Sequence, residues 1–217
     1  ADLSGAHTTS PFAKIYNADG TPAWFPHGYQ GGRNPLLNQI GQDRSKIVNS
    51  LFASIYSEVK LPFGITYRLS VQPRIVSMRD YNYWAPETYV GGFTYTGGYA
   101  SRLDDNETEW MIDNLVKWNK KMGIHSLDVT LLYNAEQFRD WQSTITNQGF
   151  APSSTLGYHG MQFGNKPTMT TTDRKYTGDG SMARINYSLL DKYLFTASVR
   201  RDGFSAFGRE NPHAIFP

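Results

Sequence analysis

The sequence reads GITYRLSVQPRI from residue 64 to residue 75, and its side chains alternate in character at every position. Apolar residues take the odd positions: Ile65, Tyr67, Leu69, Val71, Pro73 and Ile75. Polar residues take the even positions: Gly64 aside, these are Thr66, Arg68, Ser70, Gln72 and Arg74. Successive side chains of a β-strand point to opposite faces, so the stretch predicts a strand with one apolar face and one polar, partly cationic face. Such a strand suits either a half-buried soluble sheet or the wall of a transmembrane barrel.

The same alternation recurs in three predicted hairpins, each with a turn of a few residues. The hairpins cover residues 46–84, 109–138 and 181–202, and their turns lie at Pro62–Gly64, Lys120–Gly123 and Leu190–Lys192. Proline fixes φ and glycine accepts unusual dihedral angles, which supports the first turn. The remaining segments are predicted as loops: residues 1–45, 85–108, 139–180, and 203–217, where a further strand starts.

The lengths of these segments favour the barrel. The predicted strands have about 12 to 16 residues, more than the five or six usual in soluble sheets and more than a tilted strand needs to cross a bilayer. Long structureless loops are unusual in a compact soluble domain, whereas outer-membrane barrels combine short periplasmic turns with long outer loops. We therefore predict an all-β fold of antiparallel up-and-down hairpins that form part of a transmembrane β-barrel with long extracellular loops.

Composition and motifs argue against several other classes. A net charge of +2 without a run of basic residues gives no indication of nucleic-acid binding, and the absence of cysteine excludes disulfides and thiolate metal sites. No nucleophile, phosphate-loop or histidine metal-ligand motif is present, so we predict no enzyme, no cofactor and no metal site. The acidic run 104–109 has two interpretations, a hard-cation site and a solvated loop. The chain opens with Ala1 rather than methionine, and we expect an internal piece of a longer protein.

One stretch closely resembles a known family. Residues 183–203 read ARINYSLLDKYLFTASVRRDG, and Phe207-Gly208 follows. This order of an R-x-N-Y strand, a D-K-Y turn, a strand ending in R-x-D-G and a Phe-Gly pair resembles the SusC-like TonB-dependent transporters. Asn34-Pro35-Leu36 is similar to that family's segment before an inbound strand. Phe204 and Ala206 depart from the family pattern, in a predicted loop.

The resemblance implies a 22-stranded barrel in the Gram-negative outer membrane, closed by a plug domain that we expect to be absent from this chain. It also implies import of glycan or peptide nutrients, with a SusD-like surface lipoprotein as partner and energy from TonB–ExbB–ExbD. Two alternatives stay open: a soluble all-β carbohydrate-binding module, and a passive porin-like barrel without an energised partner.

Two groups of residues are candidates for function. Loop aromatics can stack on sugar rings or anchor an interface, and packing of the loops against one another is their alternative role. These candidates are Trp24, Trp84, Tyr89 and Tyr95. The second group is predicted to face the lumen, where it would line a polar route or contact the plug: Arg68, Gln72, Arg74, Asp128 and Arg184.

Overall fold

A computed structural model describes residues 10–28, 34–150, 155–208 and 213–217. Within these residues, eight antiparallel strands form one sheet. From β3 to β8, strands that follow one another along the chain are neighbours, and both β1 and β2 pair with β3. Their bounds are β1 (Gln42–Phe52), β2 (Ile55–Leu61), β3 (Ile65–Trp84), β4 (Tyr99–Met122), β5 (His125–Gln148), β6 (Thr168–Leu189), β7 (Tyr193–Phe204) and β8 (His213–Phe216). The predicted all-β, up-and-down fold is confirmed.

The helical segments are short and lie in the connections. They are α1 (Pro35–Gly41), a π-helix (Tyr89–Thr94) and three 3₁₀ turns (Pro62–Gly64, Gly157–Phe163 and Ser205–Phe207). Among the residues described, none of the helices has the length and apolarity that crossing a bilayer would require.

The first predicted hairpin forms, with an interruption in its first arm. Both β1 and β2 pair with β3, and the register of β2 runs from Ile55 opposite Val71 to Leu61 opposite Ile65. At the interruption, the Ala53 amide donates to the carbonyl oxygen of Pro73 at 3.0 Å. In a hydrogen-bonded antiparallel pair each residue both donates and accepts, but Pro73 has no N–H with which to donate to Ala53. The pairing of the first arm with β3 is therefore interrupted at residues 53 and 54.

Several predicted bounds are wrong because the strands are longer than the alternation indicates. Residues 99–108, 139–148 and 168–180, predicted as loop, are strand, and so are Lys120–Met122 of the predicted second turn. In these stretches polar residues occupy both faces, so the period of two disappears although the backbone remains extended. The predicted first loop also contains α1 and the start of β1, while its residues 1–9 and 29–33 lie outside the described part.

The chain divides into two compact units. The first comprises residues 1–48, 78–105 and 142–172, and the second comprises residues 49–77, 106–141 and 173–217. A small buried core in the first unit contains Tyr83, Ala100, Phe150 and Tyr158. In the second unit, by contrast, large apolar side chains of the sheet are exposed, including Ile55 at 65% and Phe195 at 64%.

Candidate functional site

Cross-strand polar contacts define one face of the sheet in the second unit. The Gln72 Nε2 donates to Asp113 Oδ2 at 3.2 Å. The Arg74 guanidinium donates to Glu109 Oε2 at 3.1 Å and lies 3.7 Å from the Glu107 carboxylate. Even positions of β3 and odd positions of β4 therefore share a face, which we call the polar face. Because Arg74 is paired with carboxylates, this part of the face is polar without a strong excess of positive charge.

Arg68 lies on the polar face as well, packed on an aromatic ring. Its guanidinium carbon is 4.0 Å from the centroid of the Tyr56 ring, a cation–π geometry. Arg68 stands directly opposite Glu58 in the β2–β3 register. Its Nε is buried without a hydrogen-bond partner in the described part of the chain.

The polar face continues over β5, β6 and β7 at even positions. Asn134 and Glu136 lie against Gly180 and Gly178, where a β-carbon would contact their side-chain oxygens. Arg184 has the same parity on β6, is exposed, and stands opposite Ser198 of β7. Asp128 shares that parity on β5 and is partly exposed. The predicted lumen-facing residues thus occupy one parity set on their strands.

The polar face also carries an aromatic row that the sequence pattern does not predict. Phe138 stacks on Tyr176 at 6.0 Å between ring centroids, and Tyr176 stacks on Phe204 at 5.9 Å. These rings border a small cavity of about 40 Å³ that Glu109 and Glu136 also line. All three aromatics have even numbers. Because side chains two residues apart on a strand share a face, these rings lie on the polar face of β5, β6 and β7.

An ion pair with a buried carboxylate lies near one end of this face. The Asp140 side chain is fully buried, while Arg174 is half exposed. The Arg174 Nε donates to Asp140 Oδ2 at 2.6 Å, and an Nη2 contact reinforces the pair. The pair ties β5 to β6 in a region where apolar alternation is lost.

The opposite face of the second unit is apolar. Tyr187 pairs with Phe195 and Ile185 with Ala197, so odd positions of β6 and β7 share this face. The same holds for β2 and β3, where Ile55 stands opposite Val71. Exposed members of this set are Ile55, Val59, Ile75, Leu131, Tyr133, Ile185, Phe195 and Val199.

The predicted loop aromatics form two packed groups in the first unit. Tyr89 stacks on Phe93 at 4.9 Å, and Trp24 and Phe25 meet Phe93 edge-on at 6.0 and 5.2 Å. Tyr89 is only 9% exposed, so its ring fills the loop core rather than offering a free face. Trp24 remains partly exposed.

The second group leaves more aromatic surface accessible. Tyr95 stacks on Tyr99 at 4.1 Å, and Trp84 lies against Tyr99 at 5.5 Å. Trp84 and Tyr95 are both partly exposed. Of the four predicted substrate contacts, Trp24, Trp84 and Tyr95 therefore keep part of their side chains available, and their role in binding stays a prediction.

Glycines allow the π-helix to pack tightly between these groups. A β-carbon at Gly91 would overlap the carbonyl oxygen of Trp84, and one at Gly92 would overlap that of Pro86. Thr88 caps the helix, since its hydroxyl accepts from the Gly91 amide at 2.9 Å.

Asn34, from the segment that resembles the SusC-like family, holds the preceding loop in place. Its Nδ2 donates to the carbonyls of Ile15 at 2.8 Å and Ala23 at 2.9 Å, and its Oδ1 accepts from the Leu36 amide at 3.1 Å. Asn34 is buried, so one amide group fixes the start of α1 against both sides of the loop. Earlier in the same loop, Asp19 accepts hydrogen bonds from the Thr21 hydroxyl and amide. These bonds order a local turn and lower the pKa of the Asp19 carboxyl.

A cavity of about 830 Å³ lies beside this loop. Trp24 and Phe25 line it together with Leu37 and Ile40, and among the described lining residues Glu87 is the one that carries a charge. Its walls are mostly apolar, which is typical of small-molecule sites.

The acidic run 104–109 lies on β4, not in the predicted loop. Asp104 Oδ1 accepts from the Tyr81 hydroxyl at 2.6 Å, and Glu107 and Glu109 face Arg74. Within the described residues, no group of three or more His, Asp or Glu side chains is arranged to hold a metal ion.

Together, the consecutive antiparallel hairpins and their separate polar and apolar faces are those of a segment of a large β-barrel wall. Comparison with known proteins agrees. The chain is 24% identical to TonB-dependent receptor P3 of Formosa agariphila, over 99% of this chain and 21% of that protein. It is also 24% identical to TonB-dependent receptor P26 of the same organism, over 98% of this chain and 22% of that receptor. The TonB-dependent receptor SusC of Bacteroides thetaiotaomicron is 30% identical over 102 residues, 47% of this chain and 10% of SusC.

Solved structures show the same fold. A structure of the RagAB peptide transporter superposes with a TM-score of 0.77 at 16% identity, over 93% of this chain and 23% of that one. The RagAB peptide importer in its open-open state superposes with a TM-score of 0.75 at 17% identity, over 93% of this chain and 22% of that one. No family model matches the chain. The resemblance to SusC-like TonB-dependent transporters is confirmed, and the chain spans about a fifth of the length of the TonB-dependent receptors P3 and P26 that it matches throughout.

Proposed function

We propose that this chain forms part of the barrel wall and loops of a TonB-dependent importer of glycan or peptide nutrients in a Gram-negative outer membrane. The observation that carries this is the match of nearly the whole chain to receptors of that name. The RagAB peptide transporter, which has the same fold, supports including peptides beside glycans as a possible class of cargo.

In this proposal the two faces of the second unit meet different solvents. The apolar face contacts hydrocarbon, because exposed Ile, Val, Leu and Phe side chains are stable in lipid and unfavourable in water. The polar face lines the bore with Arg68, Gln72, Arg74 and Arg184. The pairing of Arg74 with Glu107 and Glu109 suits passage of hydrated neutral chains rather than trapping of anions.

The loops of the first unit supply recognition. Trp24, Trp84 and Tyr95 present partly exposed rings, and sugar rings or apolar peptide side chains pack well on such surfaces. The protein performs no chemistry on its cargo. A SusD-like lipoprotein covers the loops from outside, and TonB–ExbB–ExbD supplies the energy.

The orientation of the faces can be tested with spin labels because the chain has no cysteine. Val71→Cys and Gln72→Cys are introduced separately into the complete protein in outer membranes and labelled. We expect the spin label at residue 71 to be relaxed mainly by oxygen, which partitions into lipid. The label at residue 72 should be relaxed mainly by a water-soluble nickel chelate. Equal or reversed accessibilities would contradict the barrel orientation and favour the soluble module.

Import is tested by uptake of labelled oligosaccharides and peptides in cells that carry or lack the gene. Each strain is compared with an isogenic strain without ExbB. We expect uptake to require both the gene and ExbB. Uptake that survives loss of ExbB would identify a passive porin-like wall, and uptake unchanged by loss of the gene would refute the proposal.

A further inference from the structure

Each of the three short turns of the second unit exposes a large apolar side chain. Phe63 is 88% exposed, Ile124 is 54% exposed and Leu190 is 55% exposed. Turns that simply face water favour Gly, Asn, Asp and Ser, so three exposed apolar residues in equivalent places need a different environment. We call these three residues the turn tips.

Two of the turn tips occupy a backbone conformation that bulky residues avoid. Phe63 has a φ of 67° and Leu190 has a φ of 58°. Side chains with a β-carbon rarely adopt this left-handed region, where glycine and asparagine are preferred. Apolar side chains are thus present at these positions although the backbone conformation is unfavourable for them. This indicates that they contact something other than the rest of the chain.

The turns are also held in fixed positions. The Leu190 amide donates to the carbonyl of Ile124 at 2.8 Å, which joins the second and third turns. The Trp118 Nε1 donates to the carbonyl of Phe63 at 2.9 Å, which joins the first turn to β4. The turn tips therefore form a connected rim rather than three independent loops.

Lysines surround this rim. Five of the nine lysines of the chain lie at or near the three turns, and all five are exposed: Lys60, Lys117, Lys120, Lys121 and Lys192. By their positions on β2 and β4, Lys60, Lys117 and Lys121 lie at the end of the polar face and Lys120 at the end of the apolar face, while Lys192 lies in the third turn. No arginine lies in residues 60–64, 117–125 or 189–194, and the one acidic residue there is Asp191, whose carboxylate is 3.5 Å from the Lys121 ammonium. Both members of that pair are well exposed, so the pair is weak and the rim keeps a net positive charge.

We propose that this rim binds anionic phospholipid headgroups, with the turn tips entering the boundary between headgroups and acyl chains. Lysine suits this role because its flexible apolar stem lies along an apolar surface while its ammonium reaches phosphate. Each lysine near an anionic surface strengthens attachment by up to about five-fold. The inference rests on the proposed function, since it requires the hairpins to cross a bilayer, and it goes further by naming a lipid class and the residues that recognise it.

The test uses the complete protein with a single Phe63→Cys change, labelled with bimane and reconstituted in bilayers. Fluorescence quenching is compared between brominated phosphatidylglycerol and brominated phosphatidylcholine at equal mole fraction. We expect stronger quenching by the anionic lipid. The change Lys120→Gln with Lys192→Gln should reduce that preference several-fold, while the matched pair Lys14→Gln with Lys166→Gln, exposed lysines elsewhere, should leave it unchanged.

Other outcomes overturn the inference. Equal quenching by the two lipids would remove the headgroup preference. Quenching by neither lipid, together with protection from aqueous iodide, would mean that a protein segment covers the turns. A bimane at Val71→Cys separates the two proposals: if residue 71 is quenched and residue 63 is not, the importer function stands and the lipid site fails. If neither is quenched, both fail.

Discussion

Replacement of Val71 by arginine should destabilise the folded protein in a membrane by about 2–4 kcal/mol, the cost of a cation on the lipid face at mid-depth. Val71 lies seven residues after Gly64, the last residue of the first turn. Seven residues span about 23 Å along a strand, and about 18 Å along the membrane normal at a tilt near 40°. If the turn lies about 5 Å outside an apolar band about 25 Å tall, Val71 lies near its centre.

The neighbouring change Gln72→Arg is the matched control. The Gln72 side chain faces Asp113 at 3.2 Å, so an arginine there gains a carboxylate partner in an aqueous bore and should cost less than about 1 kcal/mol. The assay is the guanidinium midpoint of the complete protein in liposomes, followed by tryptophan emission. A loss of 2–4 kcal/mol lowers the ratio of folded to unfolded protein by at least about 30-fold. If Gln72→Arg proves as costly as Val71→Arg, or more so, the assignment of the two faces is wrong.

Three further changes test the loops and the wall. Asn34→Ala removes three hydrogen bonds made by a buried side chain and should cost about 2–3 kcal/mol locally. Hydrogen exchange should rise at residues 15–23, and unchanged exchange would contradict this. Arg174→Ala leaves the buried Asp140 carboxylate without its cation and should lower the free energy of unfolding by about 2–3 kcal/mol. Adding Asp140→Asn should recover part of this loss. If nothing is recovered, the unpaired charge is not the cause. Gly92→Ala places a β-carbon on a backbone carbonyl and should reduce the folded fraction on unheated gels, whereas Gly178→Ala meets only a flexible carboxylate and should have little effect; equal effects would refute the packing argument.

The fold could be predicted from the sequence where local chemistry repeats. Residues 65–75 alternate without a fault, and the turns at Pro62–Gly64 and Leu190–Lys192 were placed correctly because each separates two alternating runs. The far ends of the strands could not be predicted, because residues 99–108 and 168–180 are polar on both faces and give no periodic signal. The gap after Phe52 was also missed, since it depends on a proline of the neighbouring strand.

The site was predictable only in part. Parity on a strand fixes the face of a side chain, so Arg68 and Arg74 could be assigned to one face from the sequence alone. The contacts of Tyr89 depend on how the loop around the π-helix folds, and no local pattern encodes that. The aromatic row is intermediate: Phe138 and Tyr176 carried the right parity, but they lay in or beside segments predicted as loop.

Pro73 has a consequence for the chain before it folds. A newly made segment with faultless alternation and many β-branched and aromatic residues is prone to pair with other copies of itself and aggregate. Proline cannot donate to such a ladder, and it interrupts the growth of an ordered stack at the same place where it interrupts the pairing with Ala53. We therefore expect this interruption of the sheet to limit aggregation of the unfolded polypeptide.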